Sequence, residues 1–506
     1  MTKFQSLVLL TQSMTLSEKK AFRIKASRHK SKPDYIVLYN FIGKNQELKI
    51  ETLQIELLKK LSKTSFETSV KYLYDLLLES MLDLRRTQDS YYSLFNKILK
   101  ARILYEKSLF DECFELLEEV MVQGQKHENY HALLLASRFE LEYLLALNFP
   151  DVDEKTLLKK QFRLTEILNY LRKINEQSSL YGLLKHRIVY KGHARSEKQK
   201  EELNDLVFSE ISIVASLSLD NFEISKQHQL FQSNYLISVG DYQSALNSYY
   251  ELNNLFETNK HLWSSPPIYY LHTLEGVLES LRSIHNYDGM TYFVNQLKTI
   301  DHPSADFRIN LTCIIFLYEL FPLLDRGDFV SSNLLMENYK DNLFDNLFAL
   351  NLTRQAELCL YTSLIYFGNS EFHKAHKFLN QIILKGKNYY FLPVFRTIRL
   401  VNLMILYKLG DFDLIKYEIR SIKRALAEPE KGNKIERFLL KFLSKKLPIS
   451  TLKRKQLWTK IEKEFDEIRH DVFEQQLLII FDFTAWVESL IWRLPLSEIL
   501  QKKWNE

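Results

Sequence analysis

"YKLGDFDLIKYEI", residues 407–419, decides the fold of this chain. It reads as the end of one helix, a tight turn and the start of another. Gly410 stands where a helix can end on a left-handed residue, a conformation that glycine tolerates. Phe412 follows the turn, and Ile415, Ile419 and Ile422 follow it at three, seven and ten residues. "YFGNSEFHKAHKFL", residues 366–379, has the same layout, with Phe372 in the place of Phe412.

The pattern recurs. Phe110 precedes Cys113, Leu117 and Val120; Tyr242 precedes Ala245, Tyr249 and Leu252. Tyr287 precedes Met290, Val294 and Leu297; Phe329 precedes Ser332, Met336 and Tyr339; Phe372 precedes Ala375, Leu379 and Ile382. The last five aromatics lie 45, 42, 43 and 40 residues apart, and the 132 residues between Phe110 and Tyr242 leave room for two degenerate copies. The physical reading is a helical hairpin. The aromatic fills the bend, the residue three later lets the second helix approach the first, and the next two continue a buried stripe. A single hairpin cannot bury both faces, so neighbours must stack.

"GDYQSALNSYYEL" (240–252) and "LGDFDLIKYEI" (409–419) resemble the turn and second helix of tetratricopeptide (TPR) repeats. The spacing of 40–45 residues exceeds the usual 34, so the helices are longer and the likeness is to a TPR-like α-solenoid. The likeness implies that the first helix of each hairpin lines a concave groove. Counting back from the turns places Gln227, Asn234, Glu275, Glu279, Arg282, Tyr318, Tyr361 and Tyr407 there. That mixed polar and aromatic set suits a peptide or helix laid in a groove, and Asn234 and Arg282 would then be replaceable without loss of stability. The opening stretch, with "LSEKKAFRIKAS" and "SVKYLYDLLLESMLDLRR", resembles the start of uncharacterised helical-repeat proteins of Bacteroidota, which implies no activity. Thr15 and Glu18 fit a capping box.

Composition agrees with an all-α chain. There are 12 glycines and 10 prolines in 506 residues, roughly 4% together against about 12% in an average protein, too few for the turns of an all-β fold. Apolar residues recur at helical spacing throughout, giving about two dozen expected helices of about 10–20 residues joined by short connections. The expected organisation is a helical N-terminal region (1–88), a TPR-like solenoid (89–430) and a helical cap (431–506). The cap includes "QQLLIIFDFTAWVESLIW" (475–492), whose apolar side needs covering. "LTCIIFLYELFPLL" (311–324) contains Glu319 and is short for a bilayer span. Cys113, Cys313 and Cys359 are widely spaced and read as small buried apolar residues of a reducing, cytoplasmic compartment.

Chemistry is sparse. His127, Glu128 and His131 match HExxH, the zinc-protease pattern that sets two histidines one turn apart on a helix. Here "GQK" precedes it, so the motif opens a helix at a turn. Neither a metal nor a cofactor is expected, and the phosphate-loop, dinucleotide and nucleophile-elbow motifs are absent from the sequence. Basic residues cluster in 18–32 (Lys19, Lys20, Arg23, Lys25, Arg28 and Lys30 among them) and in 445–455. Such clusters suit phosphate contacts or a solvated face. The expectation is a non-enzymatic scaffold holding a protein or peptide partner. A nucleic-acid-associated regulator using the basic N-terminal stretch is the alternative, and a zinc hydrolase is the remote one.

Overall fold

The computed structural model describes residues 2–26, 33–45, 48–215, 221–426, 432–445 and 447–505. Among them are 26 α-helices and no strand. The chain folds into two compact units. One comprises Met1–Lys173 with Pro303–Ala305, the other Ile174–His302 with Asp306–Glu506.

In the first unit, α1 (Lys3–Ser13), α2 (Leu16–Ala26), α3 (Asp34–Lys44), α4 (Ile50–Leu58) and α5 (Lys63–Arg85) enclose a core of their own. Phe4, Leu7, Phe22, Leu38, Ile42, Leu53, Leu73 and Leu77 are its buried members. The capping box is present: Thr15 N–H donates to the Glu18 carboxylate at 2.9 Å, and Glu18 N–H to the Thr15 hydroxyl at 3.2 Å. Then come α6 (Ser90–Glu106), α7 (Phe110–Lys126) and α8 (Tyr130–Ala146), each packed on the next.

The interval between Phe110 and Tyr242 does not hold the expected pair of degenerate copies. A single 38-residue helix, α9 (Glu154–Lys191), occupies much of it, with α10 (Glu197–Glu201) and α11 (Asn204–Val214) after it. The reason is chemical: no proline occurs between Asp151 and Ser265, and Gly182 lies in mid-helix with nothing to stop the turn there.

The second unit continues as hairpins. They are α12 (Phe222–Ser238) with α13 (Tyr242–Thr258), α14 (Ile268–Ser283) with α15 (Tyr287–Lys298), and α16 (Ala305–Asp325) with α17 (Phe329–Asn338). Next come α18 (Leu352–Gly368) with α19 (Phe372–Ile383) and α20 (Val394–Leu409) with α21 (Phe412–Ala425). Every aromatic of the sequence pattern is the first residue of its helix. Of the residues three, seven and ten later, all are buried except Tyr339, which is half-buried.

One turn is used each time. Asp411 N–H donates to the Leu406 carbonyl and Gly410 N–H to the Tyr407 carbonyl, with Gly410 at φ 79°. This is a helix-ending loop in which two late carbonyls are satisfied by the residues just past the end. The same pair of bonds closes at Ser108–Leu109, Gly240–Asp241, His285–Asn286, Gly327–Asp328 and Ser370–Glu371. Two further cases, Glu128–Asn129 and Asn148–Phe149, follow α7 and α8. The residue after the left-handed position then caps the next helix. Asp241, Asn286, Asp328 and Asp411 each accept from the N–H three residues on.

Successive hairpins are tied about one period apart. Arg282 bonds Asp325, the Tyr318 hydroxyl donates to the Glu275 carbonyl, and the Asn369 amide donates to the Phe329 carbonyl. Gly368 makes the last approach possible, since a Cβ there would fall 2.1 Å from the Phe329 ring. The C-terminal helices are α22 (Lys434–Phe442), α23 (Thr451–Arg469), α24 (Val472–Leu478), α25 (Phe483–Trp492) and α26 (Leu496–Asn505). They share the hairpins' core, with Trp486, Phe483 and Phe465 fully buried. Among the described residues α16 is long and apolar enough to cross a bilayer, beyond the 14-residue expectation, and most of it is buried within the protein. Its Glu319 accepts from the Tyr339 hydroxyl at 2.7 Å and pairs with Lys298. All three cysteines are buried.

Candidate binding cavity

The first helices of four successive hairpins line one cavity of about 370 Å³ in the second unit, α14 and α18 with charged stripes, α16 and α20 with mixed ones. Helix α14 supplies Glu275, Glu279 and Arg282, spaced one and two turns apart, and α16 supplies Tyr318 and Phe321. Helix α18 supplies Arg354, Glu357 and Tyr361, and α20 supplies Arg396. The remaining wall comes from segments distant in sequence: Gly192, His193 and Arg195 after α9, Asn433 and Glu436 at α22, and Gln476 to Ile480 around the end of α24.

Most charges on this wall are paired. Arg282 grips Asp325 through Nε at 3.0 Å and Nη2 at 2.8 Å, donates to the Ile479 carbonyl at 2.6 Å and stacks on Phe321. Arg354 reaches Glu275 and also Glu357, the latter at 2.8 Å. Arg396 pairs with Glu436. Glu279 is the exception: among the described residues it is the one acid on the wall whose carboxylate has neither a hydrogen bond nor an ion pair. The Nδ1 atom of His193 is buried and also lacks a hydrogen-bond partner.

Electrostatics follow from this pairing. Burial works to raise the Glu275 carboxyl, but the Arg354 guanidinium outweighs it and holds the group below its usual range. Glu279 has no such partner, so burial, reinforced by the charge of Glu275, pushes it up to about 7. Burial, with Lys185 and Arg195 nearby, pushes His193 down to about 4, which leaves its imidazole neutral at pH 7. Burial also lowers Lys185 on α9 despite Glu279 and Glu275.

The structure therefore gathers Glu275, Glu279, Arg282, Tyr318 and Tyr361 of the expected groove, and it does not gather the other three. Asn234 is buried and its amide donates to the Leu230 carbonyl of its own helix. Gln227 is buried against Glu223. Tyr407 packs on Phe412 and Trp486, beside a separate cleft with Arg454 and Arg493. Nor is Arg282 a replaceable surface residue, because it is 5% exposed and bound on three sides.

Sequence reading missed His193, Arg195, Arg354, Glu357, Arg396 and Glu436. Arg354 and Glu357 had a signal, since they precede Tyr361 by seven and four residues on one stripe. The others had none.

The HExxH residues do not share a helix face. His127 ends α7, Glu128 takes a left-handed φ of 47°, and Asn129 caps α8, of which His131 is the second residue. No cluster of three His, Cys, Asp or Glu suited to a metal occurs among the described residues.

In the basic stretch, Lys20 and Arg23 are exposed on α2 and Lys19 is half-exposed. Lys25 is committed to Asp83 at 2.8 Å and Glu79 at 3.6 Å on α5. Arg28 and Lys30 lie outside the described residues.

No known protein family matches this sequence, and no curated protein matches it either.

Proposed function

We propose that this chain is a non-enzymatic, TPR-like interaction scaffold of the cytoplasm, holding a protein or peptide partner against the first helices of its hairpins. The observation that carries this reading is the convergence of charged stripes from α14 and α18, with Tyr318 of α16 and Arg396 of α20 beside them, on one cavity. A stripe that served only packing would be apolar, and buried charge is retained at a cost. Four successive helices presenting Glu, Arg and Tyr to the same space fit recognition of a polar segment better than core filling.

The test is capture from the source cells with the native protein and with a Glu279→Gln, Gln476→Ala variant, before and after nuclease. A stoichiometric protein that survives nuclease and is lost with the variant, while the variant melts no lower than the wild type, supports the scaffold. Equal capture by both proteins removes the cavity from the reading. Recovery of nucleic acid that disappears on charge reversal of Lys19, Lys20 and Arg23 would replace it with the regulator.

A further inference from the structure

The charge balance around Glu279 is uneven. Three carboxylates stand together, Glu275, Glu279 and Glu357, and the basic groups facing them are Arg354 on α18, Lys185 on α9 and His272 on α14, whose imidazole burial pushes toward its neutral form. Arg354 is already shared between Glu275 and Glu357. Lys185 makes no ion pair with Glu279, although its charge favours the ionised carboxyl, and it stands over the ring of Tyr181 at 5.9 Å. Tyrosines 242, 249 and 318 face the same carboxylate and bring no charge at neutral pH. The Glu279 carboxyl therefore lines, without a direct partner of its own, a space of about 370 Å³, a volume that accommodates a small ligand or one extended side chain.

We infer that Glu279 is the recognition carboxylate for an alkylammonium group, with Tyr318 and Tyr361 as the walls along its methylene chain. An ammonium suits the site better than a guanidinium. A compact ammonium can pair through one carboxylate oxygen from any direction, whereas a guanidinium must meet both oxygens in one plane. An anion would meet the Glu279 carboxyl directly, with Glu275 and Glu357 beside it. The alkylammonium has two sources, a free diamine or the lysine side chain of a bound protein. This inference rests on the scaffold reading only for the second source.

Calorimetric titration separates the outcomes, using the full chain with cadaverine, with the peptide acetyl-Ala-Ala-Lys-Ala-Ala-amide, and with its norleucine counterpart. Expected is binding of cadaverine or the lysine peptide, at least tenfold weaker in Glu279→Gln, with no binding of the norleucine peptide. Preference for cadaverine identifies a free diamine, and preference for the peptide identifies a partner's lysine. Binding should also release protons at pH 7, because an ammonium draws the Glu279 carboxyl toward its ionised form. Comparing two buffers of different ionisation enthalpy reads this release on the wild-type protein alone, so the test survives a variant that fails to fold. Absence of binding by both amines, equal binding by the variant, or binding without proton release overturns the inference. The scaffold reading would then still stand or fall on capture of its partner.

Discussion

At the scale of single residues, Glu279 and Arg282 lie one turn apart on α14 with opposite fates. Glu279 titrates near 7 when folded against about 4.3 for a free glutamate. A carboxyl raised in the folded state contributes stability that is complete below its unfolded value and is lost as pH rises through the folded one. The wild type should therefore lose stability relative to Glu279→Gln between pH 5 and pH 8. The expected loss is about 1–2 kcal/mol, allowing ~1.4 kcal/mol per unit and a discount for partial exposure. Urea midpoints of the two proteins across that range check it, and a constant difference would refute it. Arg282→Met should cost about 3 kcal/mol, because it removes the buried guanidinium's bonds to the Ile479 carbonyl and to Asp325, which keeps only the Tyr287 hydroxyl. Pairing it with Asp325→Leu should recover part of that loss, and the double-mutant cycle measures the coupling.

At the scale of the element, the repeated turn accounts for how much could be read in advance. A left-handed residue, a cap and an aromatic are neighbours in the chain, so local chemistry encodes them and a single sequence reveals them. Individual copies differ in quality. Glu371 caps α19 without a side-chain bond, whereas aspartate in the same place accepts from the third N–H at 3.1 Å before α13 and α21. Glu371→Asp should thus stabilise the protein by about 1 kcal/mol. Gly410→Ala should destabilise it by about 1 kcal/mol, the left-handed penalty less the entropy removed from the unfolded chain. Gly240→Ala should cost more, since its Cβ would fall 2.6 Å from Val472. Thermal melts of the three variants rank these effects. The long helix α9 was unreadable for the converse reason: between residues 151 and 265 no proline separates helices, and periodicity alone does not say where one ends. The cavity was legible only on its hairpin side. Glu275, Glu279, Tyr318 and Tyr361 follow from counting back from a turn. His193, Glu436 and Gln476 reach the cavity through tertiary packing that no local pattern announces.

At the scale of the whole molecule, local and distant organisation coexist. Helices α1–α5 bury a core closed within the first 85 residues, enough for independent though marginal folding. A fragment of residues 1–88 should unfold cooperatively on heating; a gradual loss of helicity would show that its core needs the rest of the unit. The second unit is different, because its hairpins share one core with helices at the far end of the chain. The bond from Arg282 to the Ile479 carbonyl spans 197 residues. On the ribosome, at about 5–20 residues per second, Arg282 emerges roughly 10–40 s before its acceptor exists. Through that interval the guanidinium on α14 has Asp325 and the Phe321 ring but not its backbone acceptor, and the inner faces of four hairpins stand open to whatever else the cell supplies. Nascent chains stalled before Ile479 should be cleaved by protease throughout residues 222–425, and chains released past Trp492 should resist. The segment that closes the cavity is thus made after every hairpin it covers, and its synthesis is the event that turns a row of hairpins into a folded unit.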